Sequence, residues 1–223
     1  MNLLNTNKRR LLTATLFILT IGFIGLSCLV YIFPPSLIDL EVSLEIQEHH
    51  NLTLDHFMTF ISWFGTMPVS VIMVGLIALI FFLTKYKREA VFTLFTLSSG
   101  VLSTITKALI NRSRPTKDLV RIIEITRQQS FPSGHTMFYT VFFGFLIIVM
   151  DNLKYLNYHL RIGVTVLSAV MILMVPFSRI YLGAHWFTDV LGGVILGLLS
   201  LFVIGYYYLF GKGSKRSAST LHK

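Results

Sequence analysis

Residues 186–210 read WFTDVLGGVILGLLSLFVIGYYYLF, and Asp189 is the one charged side chain in that stretch. A helix needs roughly 20 mainly apolar residues to cross the hydrocarbon of a bilayer. The run therefore predicts a membrane span. Working back along the chain, similar runs predict five more, at about 11–33, 66–84, 89–110, 131–150 and 162–178. A transmembrane barrel would instead show short alternating segments. The fold class is all-α: a polytopic membrane protein with six transmembrane helices. Composition agrees, since 13% of the 223 residues are charged, about half the ~25% of an average soluble domain.

The chain reads as a single membrane-embedded domain, 1–223. Pro34-Pro35 stops the first span, because proline has no amide proton and blocks helix continuation. That span is too long for a typical cleavable signal core and reads as a retained helix. Segment 34–65 is an outer loop. Leu54, Phe57, Met58 and Ile61 recur in it at helical spacing, which predicts an amphipathic stretch along the membrane surface. The polar residues 211–223 form a flexible cytoplasmic tail. Cys28 is the single cysteine, so no intrachain disulfide forms.

The formal charge is +9. In a soluble chain that would suggest nucleic acid, but here most basic residues flank apolar runs and no nucleic-acid partner is expected. With the amino terminus in the cytoplasm, 12 of the 19 Lys and Arg fall on inner segments, as the positive-inside rule asks. The first outer loop holds Asp39, Glu41, Glu45, Glu48 and Asp55 and no basic residue. Lys107, Arg112, Arg114, Lys117, Arg121, Arg127 and Arg179 fall on the outer side, against the rule. Topology does not account for them.

Three patches on that side carry chemistry. In KALINRSRP (107–115), Lys107 and Arg114 are seven apart, which places them on one face of a helix that Pro115 ends. A basic helix end snorkelling to headgroups gives the same pattern. In FPSGH (131–135), Ser133 and Gly134 stand where a helix starts. Free amides there, with a hydroxyl, cradle an anion; an ordinary cap followed by an interfacial histidine reads equally well. In SRIYLGAHWFTD (178–189), His185 and Asp189 are i,i+4 neighbours if the last helix has begun. A carboxylate on one ring nitrogen fixes the tautomer and leaves the other free to attack. A structural His–Asp pair closing a bundle is the alternative. Taken together, the cations, amide cradle, two histidines and carboxylate form an inventory suited to phosphoryl transfer.

These patches resemble the type 2 phosphatidic acid phosphatase (PAP2) superfamily, which includes the vanadium haloperoxidases. Its pattern is K-x6-RP, then PSGH, then SR-x5-H-x3-D. Lys107, Arg114, Pro115, Ser133, Gly134, His135, Ser178, Arg179, His185 and Asp189 meet every fixed position in order and spacing. The resemblance covers about residues 50–210 and the six-span layout of the bacterial lipid phosphatases in the family. It implies His185 as nucleophile, forming a phosphohistidine, and Asp189 as the group that orients it. It implies His135 as the acid for the leaving lipid oxygen. Lys107, Arg114, Ser133, Gly134 and Arg179 would hold the phosphate. No metal or other cofactor is implied.

The implied partner is a lipid phosphate in the bilayer of a bacterial inner membrane, reached from the outside. Undecaprenyl diphosphate, phosphatidylglycerol phosphate and phosphatidic acid are the candidate substrates. Oligomeric state is left open. A non-catalytic lipid-phosphate binder or transporter would use the same cationic pocket without needing the histidines. A haloperoxidase would not need six spans. Arg112, Lys117, Arg121 and Arg127 are either added positive field for an anionic substrate or plain solvated charges. His49, His50 and His56 read as surface residues. Gly193 and Gly197 read as a helix-packing pair.

Overall fold

The computed structural model describes residues 6–33 and 35–211. Pro34, the tail from Lys212 and His222 within it lie outside the described residues. Among the described residues the secondary structure is helical: α1 (Thr6–Ile32), α2 (Leu37–Glu48), α3 (Leu52–Trp63), α4 (Met67–Leu83), α5 (Lys87–Phe95), α6 (Ser98–Ile110), α7 (Gly134–Asn152), α8 (Tyr158–Tyr181) and α9 (Phe187–Phe210). Among the described residues, five spans are long and apolar enough to cross a membrane: Arg10–Ile32, Lys87–Ile110, Gly134–Asn152, Tyr158–Tyr181 and Phe187–Phe210. The pair α3 and α4, bent by 55° between them, passes the same test of length and apolarity when taken together, which makes up to six. The all-α, six-span fold class is thus met.

Three spans differ in detail from the sequence expectation. The stretch 89–110 is divided into α5 and α6. Thr93, Thr96 and Ser99 each hand their hydroxyl to a carbonyl three or four residues back, and the Thr96 and Leu97 amides close tighter i→i+3 bonds. Hydroxyl back-bonding of this kind loosens a helix, and a short 3₁₀-type turn absorbs the break. The stretch 66–84 forms α4, which is bent by 55° from α3 at the break before it. α3 packs against α8 with Ile61 buried, while Phe57 stays exposed. Residues 35–65 contain two helices, α2 and α3, and Leu54, Phe57, Met58 and Ile61 all lie on the second. α8 runs past Pro176 to Tyr181, further than the predicted 178.

α7 is the centre of the bundle and packs along both α8 and α9. Its Phe138, Tyr139, Phe142 and Phe145 are buried; Phe138 stacks on Phe142, and Phe145 meets Tyr208 of α9 edge-on. Gly193 and Gly197 allow the close approach of α7 and α9. A Cβ at Gly193 would lie 2.7 Å from the Ser133 carbonyl, and one at Gly197 would lie 2.8 Å from Thr140 Cβ. α1 packs on α9 and otherwise turns apolar side chains such as Phe17, Ile18 and Ile24 outward, as a lipid-facing helix does.

Candidate active site

α6, α7 and the α8–α9 turn bring the three sequence patches together at one end of the bundle, joined by the loop 111–133. Asp189 stands in the first turn of α9 and is fully buried. Its Oδ2 accepts the Trp186 amide at 2.8 Å and the Ser130 hydroxyl. A carboxylate here caps free amides and faces the positive end of the helix dipole. Its Oδ1 accepts Arg112 Nη1 at 2.5 Å.

His185 lies just before α9, outside the helix. The i,i+4 helical pairing is therefore not what joins it to Asp189. The ring is brought near by the turn itself, in which the Ala184 and His185 amides both bond the Arg179 carbonyl at 3.2 Å. Gly183 makes that turn with φ +65, and a Cβ there would strike the Arg121 carbonyl. Nδ1 of His185 is 3.5 Å from Asp189 Oδ2, beyond a good hydrogen bond, and carries no hydrogen bond. Nε2 is 3.3 Å from Arg114 Nη1. Burial pushes the His185 imidazole well below its usual range, and the positive charges of Arg114, Lys107 and Arg179 push the same way.

Lys107 and Arg114 do not share a helix face. α6 ends at Ile110, and Asn111 adopts the left-handed conformation, φ 50 and ψ 40, which asparagine tolerates at a helix end. The chain is irregular from there, so Pro115 has no helix to end. The two cations still converge, because both bond carbonyls of the same loop. Lys107 Nζ donates to the Gln129 carbonyl at 2.5 Å. Arg114 donates to the Gln128 carbonyl at 2.5 Å, to the Gln129 carbonyl at 3.2 Å and to the Ala184 carbonyl at 2.5 Å. Burial and the nearby charge of Arg179 bring Arg114 down to about 10, so it remains a cation at neutral pH.

Ser133 caps α7, its hydroxyl accepting from the Thr136 hydroxyl at 3.0 Å. The Ser133 amide is committed to the Asp189 carbonyl at 2.9 Å. The open amides of the helix start are thus those of Gly134 and His135, which carry no hydrogen bond among the described residues. Gly134 lies beside Lys107, since a Cβ on it would be 4.0 Å from Lys107 Cε. The His135 ring packs against Gly65 at the α3–α4 bend, close enough that a Cβ at Gly65 would overlap it. Its Nε2 is buried with no hydrogen bond. Arg179 is fully buried and bonded to Glu124 at 2.6 and 3.0 Å and to Ser62.

Several neighbours carry no spacing signal in the sequence. Arg112 is neither a field charge nor solvated. It is buried and joins Asp189 to Asp39 of α2. Arg121 pairs with Asp55 at 2.6 Å near the surface, and Lys117 and Arg127 are exposed. His49, His50 and His56 are exposed, as expected. Ser130, Ser62, Glu124, Asp39 and Gly65 enter only through the tertiary fold. Among the described residues, no group of three or more His, Cys, Asp or Glu side chains is arranged to hold a metal ion.

The fold and site define a class: a polytopic α-helical membrane protein with two histidines and several cations clustered at one end of the bundle. A profile of the PAP2 superfamily matches residues 88–212, more than half of the chain, and the chain belongs to that superfamily. It is 38% identical over 108 residues to phosphatidylglycerophosphatase B of Bacillus subtilis (strain 168), covering 47% of this chain and 50% of that protein. It is 25% identical over 166 residues to lipid phosphate phosphatase delta of Arabidopsis thaliana, covering 71% of this chain and 39% of that one. It is 39% identical over 70 residues to the putative undecaprenyl-diphosphatase YbjG of Escherichia coli (strain K12), covering 31% and 30%. These matches span half or less of the length of each curated relative.

Among solved structures, the chain is similar to the transmembrane PAP2-type phosphatidylglycerolphosphate phosphatase of Bacillus subtilis. The TM-score is 0.73 at 25% identity, covering 89% of this chain and 98% of that one. LpxE of Aquifex aeolicus shares the fold, with a TM-score of 0.60 at 22% identity, covering 79% and 98%.

Proposed function

We propose that this chain hydrolyses a phosphate from a lipid phosphate or diphosphate at the membrane surface, without a metal, through a phosphohistidine at His185. The observation that carries the reading is the setting of the His185 ring. Its Nδ1 faces Asp189 at 3.5 Å and its Nε2 faces the cation Arg114 at 3.3 Å. With Nδ1–H directed at the carboxylate, Nε2 keeps its lone pair.

In the first step Nε2 attacks phosphorus, forming a P–N bond as the bond to the lipid oxygen breaks. His135 gives its proton to that oxygen. In the second step His135 takes a proton from water, whose oxygen attacks phosphorus. The P–N bond breaks and inorganic phosphate leaves. Lys107, Arg114 and Arg179 hold the phosphate oxygens, with Ser133 and the Gly134 amide, and stabilise the charge that a metal would otherwise neutralise. Arg179 reaches the phosphate once Glu124 gives up its place on the guanidinium.

The names of the relatives favour phosphatidylglycerol phosphate and undecaprenyl diphosphate as substrates, with phosphatidic acid as the third candidate. The distribution of basic residues favours an outward-facing site in the inner membrane of a bacterium. The test is phosphate release from purified lipid phosphates and diphosphates in detergent with excess chelator, by wild type and by His185→Ala, with radioactive phosphate trapped on the wild type. Turnover that His185→Ala retains, or that chelator abolishes and a divalent metal restores, would contradict the mechanism.

A further inference from the structure

Asp39, Arg112 and Asp189 form a buried chain of charge. Arg112 Nη2 donates to Asp39 Oδ2 at 2.6 Å, Nη1 donates to Asp189 Oδ1 at 2.5 Å, and all three side chains are fully shielded. Thr188 closes the group. Its hydroxyl accepts from Arg112 Nη1 at 2.7 Å and donates toward Asp39 at 2.8 Å, and its amide donates to Asp39 Oδ1 at 2.8 Å. Asp39 is also the N-terminal cap partner of α2, accepting the Ser36 amide at 3.2 Å and hydroxyl at 2.9 Å. One guanidinium thus serves two carboxylates.

We propose that Asp39 and Arg112 are positioning residues for the reaction, holding Asp189 in place and in charge so that it can orient His185. The inference rests on the phosphatase reading above. Asp39 comes from α2, which lies outside the residues matched by the family profile.

The physics turns on how Arg112 divides its charge. Asp189 must keep enough negative charge on Oδ2, 3.5 Å from Nδ1 of His185, to orient the ring by its field. An arginine bonded to Asp189 alone would neutralise the carboxylate and draw it away from the ring. Asp39 takes part of that charge and fixes the plane of the guanidinium. Oδ1 of Asp189 is then pinned, and Oδ2 faces Ser130, the Trp186 amide and His185. A planar fork can bond two carboxylates at once; a lysine ammonium is a point charge and cannot take the same two positions.

The experiment uses the full-length protein in detergent, with whichever lipid of the panel the wild type turns over. kcat, KM and the inhibition constant of inorganic phosphate are measured for Asp39→Asn and Arg112→Lys, with melting followed alongside. Misplacement of a group that orients a nucleophile should lower kcat about tenfold or more while KM and phosphate inhibition stay within about twofold. A purely structural role would lower melting without that separation. Folded variants of both kinds with wild-type kcat would overturn the inference. If Asp39→Asn does not fold, Arg112→Lys decides: it keeps the charge but cannot take both carboxylate positions, and an unchanged kcat overturns the proposal. No phosphate release by wild type, or full activity in His185→Ala, would instead sink the phosphatase reading itself.

Discussion

Arg114 Nη1 lies 3.3 Å from Nε2 of His185 and also donates to the Ala184 carbonyl one residue before it. Burial holds the imidazole neutral, and a cation so placed acts in the same direction. Because the pKa is lowered, the ring stays unprotonated as pH falls past the ordinary 6.5 of histidine. Inactivation by diethyl pyrocarbonate, which needs an unprotonated ring nitrogen, should therefore lose its rate with a midpoint below 6.5. Inorganic phosphate should protect. A midpoint at or above 6.5 would contradict this picture of the site.

Arg114 is pinned by three carbonyls in a planar fan, and those bonds fix the loop 111–133 against the His185 turn. A lysine would keep the charge but lose the fan. Arg114→Lys should therefore lower kcat/KM by about two orders of magnitude, as removal of a positioned donor to the transition state does. Steady-state kinetics on the detergent-solubilised enzyme check it; a loss under threefold would show that charge alone suffices.

Glu124 competes with any anion for Arg179. Its two oxygens hold the guanidinium at 2.6 and 3.0 Å, and its side chain is partly exposed while that of Arg179 is fully buried. Glu124→Gln removes a negative charge from an anion site and frees a cation. Inorganic phosphate should inhibit this variant at severalfold lower concentration than wild type, a modest change in keeping with a partly screened pair. Equal or weaker inhibition would mean that the Arg179–Glu124 pair stays closed when phosphate binds.

The spans were legible in the sequence because an apolar run of membrane length has few other uses, and motif order and spacing picked out His135, His185 and Asp189. What spacing could not convey was the route by which the chain brings them together. Asn111 and Gly183 reverse the backbone, so Lys107 meets Arg114, and His185 meets Asp189, through loops rather than along helix faces. Arg112 looked like one more cation in NRSRP. Its burial depends on Asp39, 73 residues away in a helix that carries no motif. The α3–α4 bend was hidden for a similar reason: segment 52–63 is amphipathic and short, and its spacing does not report its packing on α8.

Gly183 holds the His185 turn in a left-handed conformation, and a side chain there would run into the Arg121 carbonyl. Gly183→Ala should destabilise the protein by about 1–3 kcal/mol, the usual cost of a non-glycine residue forced into such a position. The loss should appear as a lower melting temperature together with reduced kcat, because His185 is two residues on. A variant with wild-type melting would mean that the turn relaxes freely.

Gly65 poses the opposite case, a glycine set by space rather than by backbone conformation. It lies at the α3–α4 bend with the His135 ring and the Tyr139 ring against it; a Cβ would be 2.9 Å from Tyr139 Cε2 and closer still to His135. Tyr139 is held by its bond to the Ile61 carbonyl and has little room to move. His135 has an unbonded ring nitrogen and is the freer of the two. Gly65→Ala should therefore displace His135 first. If His135 is the acid for the leaving lipid oxygen, kcat should fall about tenfold or more, within the usual contribution of a positioned general acid, alongside a lower melting temperature from the crowding. The loss should be smaller for a substrate whose leaving group needs no proton, such as p-nitrophenyl phosphate. An equal loss on both substrates would place the effect on phosphate binding rather than on proton transfer.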